Sequence, residues 1–176
     1  GAYQLIVVAD ADNQQLETDE TDASNRLVAA IELGQPPAAD LVTTNVTGIG
    51  PLQPGQPASV SWDVSNIGDA TAVIGLGPGS QWVDRVYLAT DINLTNSTLL
   101  GQVPRGEQLD EGSGYTASLD FVTPSIADGN YLFVVVSDTS NSVYELGRRD
   151  NNTAASANTI QLRHPDLVPT INSTFV

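Results

Sequence analysis

Cysteine, methionine and lysine are missing altogether from the 176 residues. Without a thiol there is no disulfide framework, no cysteine nucleophile and no thiolate-ligated zinc. Without lysine there is no phosphate-binding loop of the kind that needs one. Positive charge is scarce as well: all six basic residues are arginine, they face 21 acids, and the formal charge is −15. Such a chain repels phosphate backbones and anionic bilayer surfaces alike, so no nucleic-acid partner is expected. The partner that suits it is a hard cation, most simply Ca²⁺, bound through carboxylate and carbonyl oxygens. Long apolar runs are absent too. Runs such as Leu132 to Val136 fall far short of the ~20 residues that span a bilayer, so no membrane insertion is expected. No signal peptide is recognisable, as expected of a chain that opens part-way through a domain.

What is present begins with 40% hydrophobic residues, enough for a packed core. The chain also repeats itself. Gly1-Ala-Tyr3-Gln-Leu-Ile-Val7-Val8-Ala-Asp10 reads like Gly129-Asn-Tyr131-Leu-Phe-Val-Val135-Val136-Ser-Asp138. Further on, Asn13 matches Asn141, Glu17 matches Glu145, Asp22 matches Asp150, Leu33 matches Leu162, and Asp40-Leu41-Val42 matches Asp166-Leu167-Val168. The spacing holds at roughly 126 to 129 residues, a domain-sized period. Three pieces follow. Residues 1–35 are the closing strands of a preceding repeat, 36–165 a complete repeat, and 166–176 the first strand of the next. The linkers Gln35-Pro36-Pro37-Ala38-Ala39 and His164-Pro165 are short and contain proline, which predicts semi-rigid coupling between neighbours.

Within the complete repeat, side chains alternate as on a half-buried sheet. Val60, Trp62 and Val64 point one way and Ser61, Asp63 and Ser65 the other; Tyr115, Ala117, Leu119 and Phe121 alternate with Thr116, Ser118 and Asp120. Tyr131 to Val136 is apolar on both faces, which places it centrally in its sheet. Turn signals separate these runs at Pro54-Gly55, Asn66-Ile-Gly68-Asp69, Gly77-Pro78-Gly79, Gly112-Ser-Gly114 and Asp128-Gly129. Strands are expected near 41–47, 58–66, 70–75, 82–89, 98–103, 115–122, 130–137 and 155–162. The pattern is that of an all-β, immunoglobulin-like two-sheet β-sandwich in tandem. The expected core holds Trp62, Val86, Leu88, Leu119, Phe121, Tyr131, Phe133 and Val135.

The ordered set Ala39-Asp-Leu-Val42, Pro54-Gly55, Val60-Ser-Trp62-Asp-Val64-Ser-Asn66-Ile-Gly68, Trp82-Val-Asp84-Arg85-Val-Tyr87-Leu88-Ala-Thr-Asp91 and Gly129-Asn-Tyr131 through Glu145 resembles CARDB, the bacterial cell-adhesion-related domain. The resemblance covers the whole middle repeat and both flanking pieces. It implies an extracellular or cell-surface sandwich module, found in tandem arrays in adhesins, surface proteins and some secreted enzymes. The usual ending of the last loop, acidic residues and then paired asparagines, is kept as Asp150-Asn151-Asn152; the first copy departs from it with Asp22-Ala-Ser-Asn25.

Two sets of oxygen-bearing residues are candidates for Ca²⁺: Asp10, Asn13, Glu17 and Asp22, and then Asp138, Asn141, Glu145 and Asp150. An Asp and an Asn three apart in a tight turn, with a Glu leaving it, converge on the six to eight oxygens the ion needs. The structural alternative is an Asx turn at Asp138, with Glu145 as a solvated charge guarding a strand edge. Recurrence does not separate the two, since a turn recurs as readily as a site. Asp84 falls on the Val86 and Leu88 face, where a carboxylate needs a partner: Arg105, a backbone donor, or an ion shared with Asp91 and Asn93. Five glycosylation sequons begin at Asn45, Asn93, Asn96, Asn151 and Asn172.

Support for catalysis is thin. The lone His164 sits in a linker and reads as solvated, and Ser113 lacks the spacing of a nucleophile elbow. Trp62, Trp82 and Tyr87 offer a conceivable sugar platform, although alternation assigns Trp62 to the core. The leading expectation is therefore a non-catalytic structural or adhesive repeat of a large surface protein or filament, rigidified by calcium. Its expected partners are neighbouring repeats or identical subunits, with Ca²⁺ and cell-surface glycans. The alternative is an accessory or carbohydrate-binding spacer of a secreted hydrolase. Strand Tyr3 to Ala9 lacks the earlier strands of its own domain, so it is expected either to sit in a longer repetitive chain or to exchange between molecules.

Overall fold

A computed structural model of the protein describes residues 1–12, 14–16, 18, 25–74 and 81–170. Every regular element among them is a β-strand, and no helix is long and apolar enough to cross a membrane. The chain divides into two units, Gly1–Pro36 and Pro37–Val176.

The first unit is a hairpin of β1 (Ala2–Val8) and β2 (Arg26–Glu32), antiparallel from Ala2 opposite Glu32 to Val8 opposite Arg26. Its apolar side chains have little to pack on. Tyr3, Leu5, Ile6, Val7 and Val8 are all about half exposed or more, as are Leu27 and Val28.

The second unit is a sandwich. One sheet joins β3 (Leu41–Gly48), β4 (Pro57–Asn66) and β7 (Gly114–Val122) in the order β3-β4-β7. The other runs β10-β8-β5-β6, from β5 (Trp82–Ala89), β6 (Thr98–Arg105), β8 (Gly129–Val136) and β10 (Ile160–Leu162); β9 (Thr153–Ala155) also pairs with β8. The alternation read from the sequence is realised: Val60, Trp62 and Val64 are sealed inside against Val86, Leu88, Phe133 and Val135. Phe121 of one sheet meets Phe133 of the other edge-on at 6.0 Å. Leu119, expected in the core, is only partly buried and packs at its margin. Strand β8 is paired on both edges, which is why it tolerates apolar residues on both faces.

Two expected strands differ. Residues 70–75 form no strand in their described part; only Ala72 pairs, with Leu109. The reason is Asn66, fully buried, whose amide donates to the carbonyls of Ala70 and Leu109 while its oxygen accepts from Asp40 and Gly68. One side chain thus takes over the bonding of a strand pair. The expected 155–162 strand is broken into β9 and β10. Ser156 causes the break: its hydroxyl accepts the Phe133 N–H and donates to the Asn158 carbonyl, so the chain loops out and rejoins in a shifted register. The turn Gly77-Pro78-Gly79 lies outside the described residues.

Gly48 lies against the ring of buried Phe133, where any added β-carbon would overlap it. Gly48→Ala is expected to cost about 1–3 kcal/mol through overpacking. Urea unfolding of the full chain should show a lower midpoint at unchanged slope.

Candidate functional site

The loop between β8 and β9 gathers the charged residues that the sequence singled out. It opens at Asp138, whose backbone is left-handed (φ 44°) and whose carbonyl accepts the Asn141 N–H at 3.0 Å. One carboxylate oxygen of Asp138 accepts the Ser142 N–H at 2.9 Å, and the other accepts the Val143 N–H at 3.0 Å. The side chain therefore moulds its own turn, as an Asx-type motif does. Asn141 also has φ 55°, a conformation that asparagine tolerates better than most residues.

Glu145 is not the solvated edge charge of the structural alternative. Its carboxylate is fully buried. One oxygen accepts the Leu41 N–H at 2.7 Å, at the start of β3; the other accepts Asn152 at 2.8 Å and Arg149 at 2.7 Å. The same Arg149 nitrogen reaches Asp138 at 3.1 Å, and its second terminal nitrogen donates to the Asp138 carbonyl. A single guanidinium thus bridges two buried carboxylates. Burial pushes the Glu145 carboxyl above the usual carboxylate range, against the opposing pull of the Leu41 N–H, Asn152 and Arg149. Beside this cluster, Asp40 accepts Asn151 at 2.7 Å and lies 3.5 Å from Arg148.

The arrangement bears directly on calcium. The oxygens of Asp138 and Glu145 are turned to N–H donors and to a guanidinium, so this donor set as folded does not fit a cation. Among the described residues no group of three or more His, Cys, Asp or Glu side chains is placed to hold a metal. Asp150, at the start of the turn into β9, is exposed. In the first copy, Asp10 repeats the Asp138 turn closely: φ is 42°, and its two oxygens accept Gln14 and Gln15 N–H at 2.8 and 2.7 Å, again four and five residues on. Asn13, Glu17 and Asp22 lie outside the described residues.

Asp84 is as buried as alternation required, and of its expected partners it keeps a backbone donor, while Arg105 is engaged elsewhere. It accepts the Tyr115 hydroxyl at 2.7 Å and the Trp62 indole N–H at 3.2 Å, and its other oxygen faces the Asp138 N–H at 3.4 Å. Arg105 instead stacks on the Tyr115 ring at 3.8 Å. Asp91 turns inward on its own loop and accepts the Asn93 and Thr95 N–H groups. Burial raises the Asp84 carboxyl above its ordinary range; burial, and then the Asp84 charge, raises the Tyr115 hydroxyl so that it stays a donor. Trp82 is buried and donates to the Tyr115 oxygen at 3.3 Å, so neither tryptophan is available to a sugar; both were bound to this network by spacing that alternation alone does not reveal.

The remaining sequence candidates scatter. Asn93 and Asn96 are exposed; Asn45 is exposed at a β-bulge and donates to Asp63; Asn151 is half-buried and engaged by Asp40; Asn172 lies outside the described residues. His164 is not a free linker residue: its backbone N–H and its ring both meet Asp128, at 2.9 and 2.6 Å. That contact holds the Asp128 carboxyl below its usual range.

Compared with known proteins, the chain matches the family model described as CARDB over residues 38–156. No curated protein matches it significantly. Among solved structures, the CARDB domain of a Pyrococcus furiosus protein, described as in complex with di-metal ions, is 19% identical, with 72% of this chain and 90% of that one covered and a TM-score of 0.49. A β-glucosidase 3B from Thermotoga neapolitana in complex with glucose is 12% identical, with 70% and 16% covered and a TM-score of 0.40. A β-glucosidase from Listeria innocua is 16% identical, with 75% and 17% covered and a TM-score of 0.40.

Two outcomes follow from the buried charges. Arg149→Met leaves two buried carboxylates without their cation and is expected to destabilise the second unit by about 3–5 kcal/mol, read from chemical unfolding. Asp84 has a folded-state pKa above its unfolded value, so the native state holds the proton more tightly. Its contribution to stability therefore falls as pH rises through the window between about 3.8 and the raised folded value, and recovers on acidification. The difference in unfolding free energy between wild type and Asp84→Asn, followed from pH 7 to pH 4, should shift in favour of wild type toward acid; a flat difference would contradict this.

Proposed function

The chain belongs to the CARDB family, an adhesion-related class of bacterial domain, and from that premise we propose that it is a non-catalytic spacer module of a repetitive extracellular protein, built to carry load between neighbouring repeats. The observation that supports this reading most is that the sandwich grips its polypeptide at both ends. At the incoming end, Ala38 and Asp69 exchange backbone and side-chain hydrogen bonds at 2.8 and 3.1 Å, the Asp40 N–H is held by Asn66, and the Leu41 N–H by Glu145. At the outgoing end, Leu52 and residues 161–163 exchange backbone bonds at 2.8 and 3.1 Å, and His164 is clasped by Asp128. Force or orientation applied at one linker is thereby passed through the folded unit to the other.

The repeated Asp10 and Asp138 turns support a tandem arrangement, and the acidic surface keeps a long array soluble by mutual repulsion. In this reading the complete sandwich is stiffened by Arg149. Calcium enters through the first turn, where the alignment places Thr21 opposite Arg149 and Glu20 opposite Arg148, so that Glu17 and Asp22 have no arginine at the matching positions.

Single-molecule pulling on the full chain tests the reading. The second unit is expected to unfold in one cooperative step, at a force that is the same in EDTA and in millimolar Ca²⁺ and that drops in the Arg149→Met variant. A unit that extends like an entropic spring, without a discrete step, would rule out the load-bearing role.

A further inference from the structure

We infer that the hairpin Gly1–Leu33 is the closing hairpin of a second sandwich, and that the open edge of β1 is built to receive an antiparallel strand of the β5 type from the stretch of the same polypeptide that precedes Gly1. The inference rests on the repeat reading above and adds to it which edge, which register and which side chains make the joint.

The hairpin reproduces the pairing of the complete sandwich. Tyr3 lies opposite Ile31 as Tyr131 lies opposite Ile160, and Ala2 opposite Glu32 as Asn130 opposite Gln161. Strand β1 is therefore the counterpart of β8, and β2 of β9 and β10. The same positions differ sharply in burial. Tyr131, Phe133 and Val135 are 9%, 0% and 0% exposed, whereas Tyr3, Leu5 and Val7 are 56%, 50% and 51% exposed. In β8 the edge away from β9 and β10 is taken by β5; in β1 that edge has no strand among the described residues.

Edge chemistry points the same way. Natural edge strands carry charge or proline to discourage pairing. Strand β6, an outer edge of the sandwich, ends in Pro104-Arg105, and β2 begins with Arg26 and ends with Glu32. Strand β1, Ala-Tyr-Gln-Leu-Ile-Val-Val, has neither, so β2 is dressed as an edge and β1 as an interior strand. The register of β8 on β5 then sets Gln4 through Val8 against positions equivalent to Ala89 through Arg85. A second copy has no such strand to offer, because its own β5 is paired on both edges, with β6 and β8.

Interchangeability gives the test. Replacing β8 by β1 in the full chain needs only Asn130→Ala, Leu132→Gln, Phe133→Leu and Val134→Ile, and leaves the Arg149 cluster intact. The fourfold variant is expected to keep a single cooperative unfolding transition with buried Trp62 and Trp82 emission. Phe133→Leu alone serves as the control for lost volume: if it folds and the fourfold variant does not, the inference is overturned. Sedimentation of the unmodified chain is expected to show a monomer, with β1 amides exchanging faster than those of β8. A dimer abolished by Leu5→Asp would instead give the face to a second copy and overturn the assignment. Failure here leaves the spacer reading to stand or fall on the pulling experiment.

Discussion

A guanidinium between two carboxylates with no exposed side-chain surface is the contact on which the rest of the sandwich depends. Removing Asp138 and Glu145 from water is expensive, and attraction to Arg149 offsets that cost only because the remaining oxygens are also met by N–H groups of Ser142, Val143, Leu41 and Asn152. The bonds to Ser142 and Val143 fix the turn, and the one to Leu41 draws in a distant strand. Glu145 ties the last loop to β3, 104 residues away, beside the bonds of Asp40 and Thr43 to Asn151 and Asn152. Because Asp138 also presents its backbone N–H to Asp84, the polar chain crosses to Tyr115 and Trp62 of the opposite sheet, and Tyr115 returns it to Trp82.

This arrangement suits the proposed spacer role. Apolar packing is non-directional and lets layers slide, whereas a satisfied buried polar network admits one register. The bonds at Ala38 to Leu41 and at Leu162 to His164 extend that register to the points where the chain enters and leaves. The Gly1–Pro36 unit has a similar turn at Asp10, and among the described residues its Tyr3, Leu5 and Val7 stay half exposed, as the proposed closing hairpin requires.

Much of the fold was legible because alternation has a period that burial enforces. Val60, Trp62 and Val64, the buried position of Asp84, and the central placement of Tyr131 to Val136 all follow from it. What escaped were places where a side chain replaces a ladder. Asn66 does so between Ala70 and Leu109, and Ser156 between β9 and β10. Asn66 reads locally as a turn residue and Ser156 as part of a strand, and nothing local says which distant groups they bond. From the sequence Glu145 reads as either a calcium ligand or an edge charge for the same reason: its partners Leu41 and Asn152 are set by the approach of distant strands.

By itself, then, the sequence determined the all-β class, the strand faces and the family, because these depend on patterns that neighbouring residues create among themselves. It also marked Asp138 and Glu145 as special without saying how. Only the tertiary structure decided that Arg149 stands between them, that Tyr115 and Trp62 serve Asp84, and that His164 is held by Asp128. Buried charge is neutralised by whatever the folded chain brings within about 3 Å, and sequence spacing does not encode that distance.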